Sequence, residues 1–87
     1  MKNQAMPANA ARLLHAYLLS RQITQKEAAI ALGVSGPTIN DWLHAKKRPR
    51  AAHRIAVAKW TGDLVPVAAW LTSAERAVVA MAKSEAA

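Results

Sequence analysis

Apolar residues recur along this chain at spacings of three and four, and between the apolar stretches stand residues that start and stop helices. Leu13, Leu14, Tyr17 and Leu18, following Pro7 and Asn9, predict a first helix over residues 9–21 with Arg12 and His15 turned outward. Thr24 with Glu27 three positions on is a capping box, so a second helix starts at Thr24 or Gln25. Its apolar face is Ala28, Ala29 and Leu32, with Ile30 and Ala31 flanking, and Gly33 ends it because glycine turns left-handed without steric cost.

Ser35 is the natural N-cap of a third helix over residues 36–44, and Pro37 falls in its first turn, where a missing amide breaks no helical bond. Pro49 interrupts the pattern and biases Arg48 toward extended backbone, so the basic run begins as a loop. A fourth helix is expected over 51–60, closed by Thr61 and Gly62. Val65, Pro66 and Val67 form an apolar connector to a short helix over Ala68, Ala69, Trp70 and Leu71. Thr72 and Glu75 repeat the capping-box spacing ahead of a last helix over 73–83 carrying Val78, Val79 and Met81, while Met1–Met6 and Ser84–Ala87 are expected to fray.

Composition agrees with that pattern. Alanine dominates, phenylalanine is absent, and 87 residues leave room for one small core, so the expectation is a single domain over 1–87: an all-α bundle of five or six helices. Twelve Lys and Arg against five Asp and Glu give a net charge of +7 and a pI near 10.7, which favours a polyanionic partner. The absence of cysteine excludes a disulfide framework and a thiolate metal site. No apolar run approaches the length of a membrane span, and the first residues are too polar for the apolar centre of a signal peptide, so a cytoplasmic location without membrane attachment is expected.

Helix, glycine stop, serine cap and second helix over about 24–44 are the parts of a helix-turn-helix. The sequence AKKRPRAAHR follows, with no acidic residue between Asp41 and Asp63. The stretch TQKEAAIALGVSGPTINDW, with the KKRPR run ending at Arg50, resembles the Cro and repressor family of phage and prophage regulators, the lambda-repressor-like helix-turn-helix proteins. The matching residues are Thr24, Gln25, Ala28, Ala29, Leu32, Gly33, Val34, Ser35, Thr38, Ile39 and Trp42. Residues 51–71 also resemble a continuation seen in small prophage-encoded members.

The resemblance implies a five-helix fold, operator binding as a homodimer, and repression of transcription. Carried over by position, it makes Gln25 and Ser35 phosphate anchors and turns Gly36, Pro37, Thr38, Asn40 and Asp41 toward the bases. This chain departs from the family at Gly36 and Pro37, where many relatives carry hydrogen-bonding side chains, so readout shifts to Thr38, Asn40 and Asp41, or to backbone and shape. It departs again at Ala45, which replaces the glycine that normally ends the third helix.

The amide of Asn40 both donates and accepts, which suits adenine N6 and N7. Thr38 either contacts a base or braces its own helix turn, and Asp41 either accepts from cytosine N4 or pairs with a nearby Lys or Arg. Lys46, Lys47, Arg48, Arg50 and Arg54 are the candidate phosphate contacts, with Arg50 the one directed toward a minor groove. Ile39, Trp42 and Val34 should lock the third helix to the second. Trp60 and Trp70 read as core or interface residues.

His15, His44 and His53 lack metal-ligand spacing and read as surface or loop residues; with no carboxylate pair, neither metal, cofactor nor enzymatic activity is expected. Dimerisation is expected within 64–83. Two other readings remain: an antitoxin that pairs this fold with a toxin protein, and a protein-interaction adaptor using the Val65–Leu71 segment as its contact surface.

Overall fold

A computed structural model describes residues 8–86, with side chains from 9 to 82, and every regular element among them is helical. Helix α1 is Ala8–Arg21, α2 Gln25–Leu32, α3 Gly36–Leu43 and α4 Ala51–Trp60; a short 3₁₀ turn, Val67–Trp70, precedes α5, Ser73–Ala86. The protein is therefore an all-α bundle. The expected helix after Val67 is a single tight turn, and α5 continues past its expected end at 83, so residues 84–86 are helical backbone; Met1–Met6 and the leader reading of the first residues lie outside the described residues.

Local chemistry sets these boundaries. Thr24 Oγ1 accepts from the Glu27 amide at 3.1 Å while the Glu27 carboxylate accepts from the Thr24 amide at 2.8 Å, so two otherwise unpaired donors at the start of α2 are satisfied reciprocally. Ser35 Oγ accepts from the Thr38 amide at 3.2 Å and caps α3. Thr72 and Glu75 close a second capping box at the start of α5.

At their C-terminal ends, α1 to α4 share one device. A left-handed residue (Gln22, Gly33, Ala45 or Gly62) reverses the chain, and its amide and the next return to carbonyls of the last turn. At α3 the Ala45 amide reaches the Trp42 carbonyl at 3.2 Å and the Lys46 amide the Asp41 carbonyl at 2.8 Å. Ala45 takes φ +56° there, the conformation a glycine would hold at no steric cost.

The core is one cluster. Ala10, Leu14, Tyr17 and Leu18 of α1 meet Ala28 and Ala29 of α2, Ile39 and Trp42 of α3, Val57 of α4, and Val65, Ala69 and Trp70 beyond it. The small alanines let α3 lie close on α2, and α3 also rests on α1; the 3₁₀ turn packs against α4 and α1. Trp70 and Trp42 meet edge to face at 6.5 Å, a favourable aromatic geometry at the centre. Trp60 is half-buried, its ring 5.2 Å from that of Tyr17, whose hydroxyl donates to the Trp60 carbonyl.

Thr61 is buried and turns the corner after α4, its hydroxyl donating to the Val57 carbonyl and accepting from the Val65 amide. Helix α5 stands apart, sharing no extensive contact with another helix. No helix among the described residues is long and apolar enough to cross a membrane.

Candidate nucleic-acid interface

Helix α3 has a buried back and an open front. Ile39 is fully buried and Trp42 nearly so, three positions apart, as the sequence predicts for a helix locked from behind. Opposite them, Pro37, Asn40, Asp41 and His44 follow the spacing of neighbours on a helix face and form one stripe, exposed at Pro37 and His44 and half-buried at Asn40 and Asp41. Gly36 and Thr38 are half-buried at its leading edge. His44, exposed as expected of a surface histidine, also belongs to this stripe; its position four residues after Asn40 is the signal that identifies it, and its Nδ1 lies 2.9 Å from the Asn40 carbonyl.

Two of the candidate base readers have partners within the chain. The Thr38 hydroxyl lies 2.8 Å from Ser35 Oγ and braces the first turn of α3. The Asp41 carboxylate sits 3.8 Å from Lys47 Nζ, so the one acidic side chain on the front of α3 has a cation beside it. Ser35 stands exposed at the head of α3 and Gln25 exposed in the first turn of α2.

The basic run does not act as one unit. Lys46, Lys47 and Arg50 are exposed beside the end of α3, where the Lys46 and Lys47 amides both return to the Asp41 carbonyl and pin the loop to the helix. Among the described residues, neither Lys46 nor Arg50 pairs with a carboxylate. Arg54 is half-buried, its Nε donating to the Pro49 carbonyl at 2.7 Å, which leaves only its outer nitrogens facing solvent.

Arg48 departs from the expected phosphate set. Its Nη1 donates to the Trp70 carbonyl at 3.1 Å and to Glu75 Oε1 at 2.5 Å. The reason lies next door: Pro49 is buried and holds the loop against the core, which carries the Arg48 side chain inward. The bond from Arg48, followed by the backbone bond of Thr72, pulls the Glu75 carboxyl down from 4.5 to about 2.

His53 likewise departs from the surface or loop position expected of it. It lies on α4, half-buried, with its ring 5.6 Å from that of Trp42. Between α3, the loop and α4 opens a groove of about 340 Å³ whose lining includes Ser35, Trp42, Lys47, Arg48, Arg50 and His53. Its walls are an aromatic floor, three cationic residues, one of them already paired to Glu75, and the positive end of a helix dipole, a setting that attracts an anionic ligand.

The segment Val65–Leu71 is not an open contact surface: Val65, Ala69 and Trp70 belong to the core, leaving Val67 and Ala68 exposed. Within 64–83 the uncovered apolar residues are Leu64, Val67, Val78, Val79 and Met81, three of them on α5. Among the described residues no group of His, Asp or Glu side chains is arranged to hold a metal ion. No protein-family model, no curated protein and no solved structure matches this chain.

Proposed function

We propose that this protein is a sequence-specific double-stranded DNA-binding regulator of the Cro-like repressor type, working as a homodimer. The observation that carries the reading is the front of α3: a stripe of exposed Pro37 and His44 with half-buried Asn40 and Asp41 between them, on a helix locked from behind by Ile39 and Trp42, with Lys46, Lys47 and Arg50 beside it. Eight residues give α3 a length of about 12 Å, which fits within a major groove of similar width.

In this reading Asn40 addresses an adenine edge. Thr38 holds the first turn rigid, and Asp41 stays paired to Lys47 unless a cytosine N4 replaces the cation. Ser35 and Gln25 flank the groove as backbone anchors, and Lys46, Lys47, Arg50 and the outer nitrogens of Arg54 take phosphates. Gly36 and Pro37 bring backbone rather than side chains to the bases, so sequence discrimination rests on few positions.

A second copy is required because one module of this size covers too little DNA for tight specific binding, and the bare apolar face of α5 is the surface that suits it. The same face favours the antitoxin reading, with a toxin in place of the second copy. Footprinting on DNA upstream of the coding sequence, at two salt concentrations, tests the main reading: a protected pair of half-sites one helical turn apart is expected, and no protection at either concentration overturns it. A second polypeptide that co-purifies on α5 at equal stoichiometry decides for the antitoxin.

A further inference from the structure

Arg48 sits in the middle of the basic loop and yet turns largely inward, with a quarter of its side chain exposed along the groove beside α3. Both its ends are anchored. On one side the loop is fastened by buried Pro49; on the other, a single guanidinium nitrogen spans the carbonyl of Trp70, itself 1% exposed, and the carboxylate of Glu75. Glu75 Oε1 accepts at once from Arg48 and from the Thr72 amide at 2.8 Å, so the oxygen that caps α5 also receives the loop.

Past this corner α5 has no other fastening of the kind. Residues 76–82 are all exposed, and among the described residues Arg48 makes the one side-chain hydrogen bond between α5 and a distant part of the chain. A helix of 14 residues is about 21 Å long, so a swing of about 20° at its root moves its tip by about 7 Å. That displacement equals roughly two base-pair steps along DNA.

We propose that Arg48 is a positioning residue that fixes the direction of α5 relative to α3, and thereby the separation at which two copies joined through α5 present their α3 helices. The second half of this statement rests on the function proposed above; the first half does not. Arg48 is then no phosphate ligand, and the spacing between half-sites is written into an intramolecular ion pair.

The chain has no cysteine, so spin labels attach only where cysteine is introduced, and Lys26→Cys on α2 with Ala80→Cys on α5 places both labels at exposed positions. Distances measured by pulsed electron resonance, with labelled protein diluted into unlabelled, should form one narrow population. Arg48→Gln and Glu75→Gln should each broaden it without loss of helix by circular dichroism, since glutamine also serves in a capping box. The double variant should be no broader than either single one, and Arg48→Lys should fall between. An unchanged distribution in Arg48→Gln overturns the proposal.

DNA supplies an independent arm. On a labelled duplex, Arg48→Gln should keep the wild-type slope of log affinity against log salt, and Glu75→Gln should not tighten binding. A slope reduced by about 0.9 per copy, or tighter binding when Glu75 releases Arg48, assigns the residue to phosphate and overturns the proposal. Failure of the wild type to bind any duplex removes the functional reading alone, and the label distances still decide the role of Arg48.

Discussion

Replacing Arg50 with glutamine removes one exposed cation from beside α3 and leaves the helices untouched, because its side chain makes no cap hydrogen bond at the start of α4. Under the proposed function each phosphate-bound cation contributes about 0.9 to the slope of log affinity against log salt. Lys46 and Arg50 should contribute in full; Lys47 keeps the Asp41 carboxylate beside it, and Arg54 offers only its outer nitrogens, so both contribute less. The slope expected for a dimer is about 5 to 7, and fourfold more salt should weaken binding by roughly a thousandfold or more.

Arg50→Gln should lower that slope by about 1.8 per dimer and make binding about tenfold less sensitive to the same change of salt. Anisotropy of a fluorescent duplex titrated across sodium chloride concentrations measures it, with Arg12→Gln on the exposed side of α1 as the control that leaves the slope alone. An equal fall in both variants would mean that overall charge, not the loop, attracts DNA. A slope that ignores Arg50, Lys46 and Lys47 together would refute the reasoning.

Asn40→Ala should relax discrimination at one base pair by about 1–3 kcal/mol and leave the salt slope unchanged, as read by competition among duplexes substituted position by position. Ile39→Ala empties a fully buried site between α3 and the core; it should cost about 2–5 kcal/mol and lower the thermal midpoint by at least about 8 °C in circular dichroism. Glu75, held at about 2 when folded against an ordinary 4.5, contributes stability that is complete above pH 4.5 and fades as pH falls toward about 2. Urea midpoints should therefore drop across that window more steeply for the wild type than for Glu75→Gln, and equal profiles would show that the Arg48 contact carries no stability.

The helix boundaries were legible because their signals are local. Thr24 with Glu27, Gly33, Ser35 with Pro37, and Thr72 with Glu75 each act within four residues, and each stands where the sequence alone puts it. The inward side of α3 was legible for a similar reason, since Ile39 and Trp42 carry a strong apolar period. Destinations of long polar side chains were not. The partners of Arg48 lie 22 and 27 positions downstream, and no spacing rule announces that one residue in a run of cations will turn inward.

His53 was misjudged because its burial depends on Trp42 reaching α4 across the fold. His44, by contrast, was within reach of a periodicity argument carried one turn further along α3. The Val65–Leu71 segment admits both a core and a contact-surface reading from sequence because an apolar stretch reads the same whether a neighbouring helix or a foreign partner covers it.

Ala45 leaves this small bundle with unspent stability. Glycine in the same left-handed geometry would relieve about 1 kcal/mol of steric conflict. The methyl group does, however, narrow the backbone choices of the hinge from which Lys46 and Lys47 emerge, as glycine would not. Backbone strain and hinge order thus trade against each other at a residue outside both the core cluster and the lining of the groove.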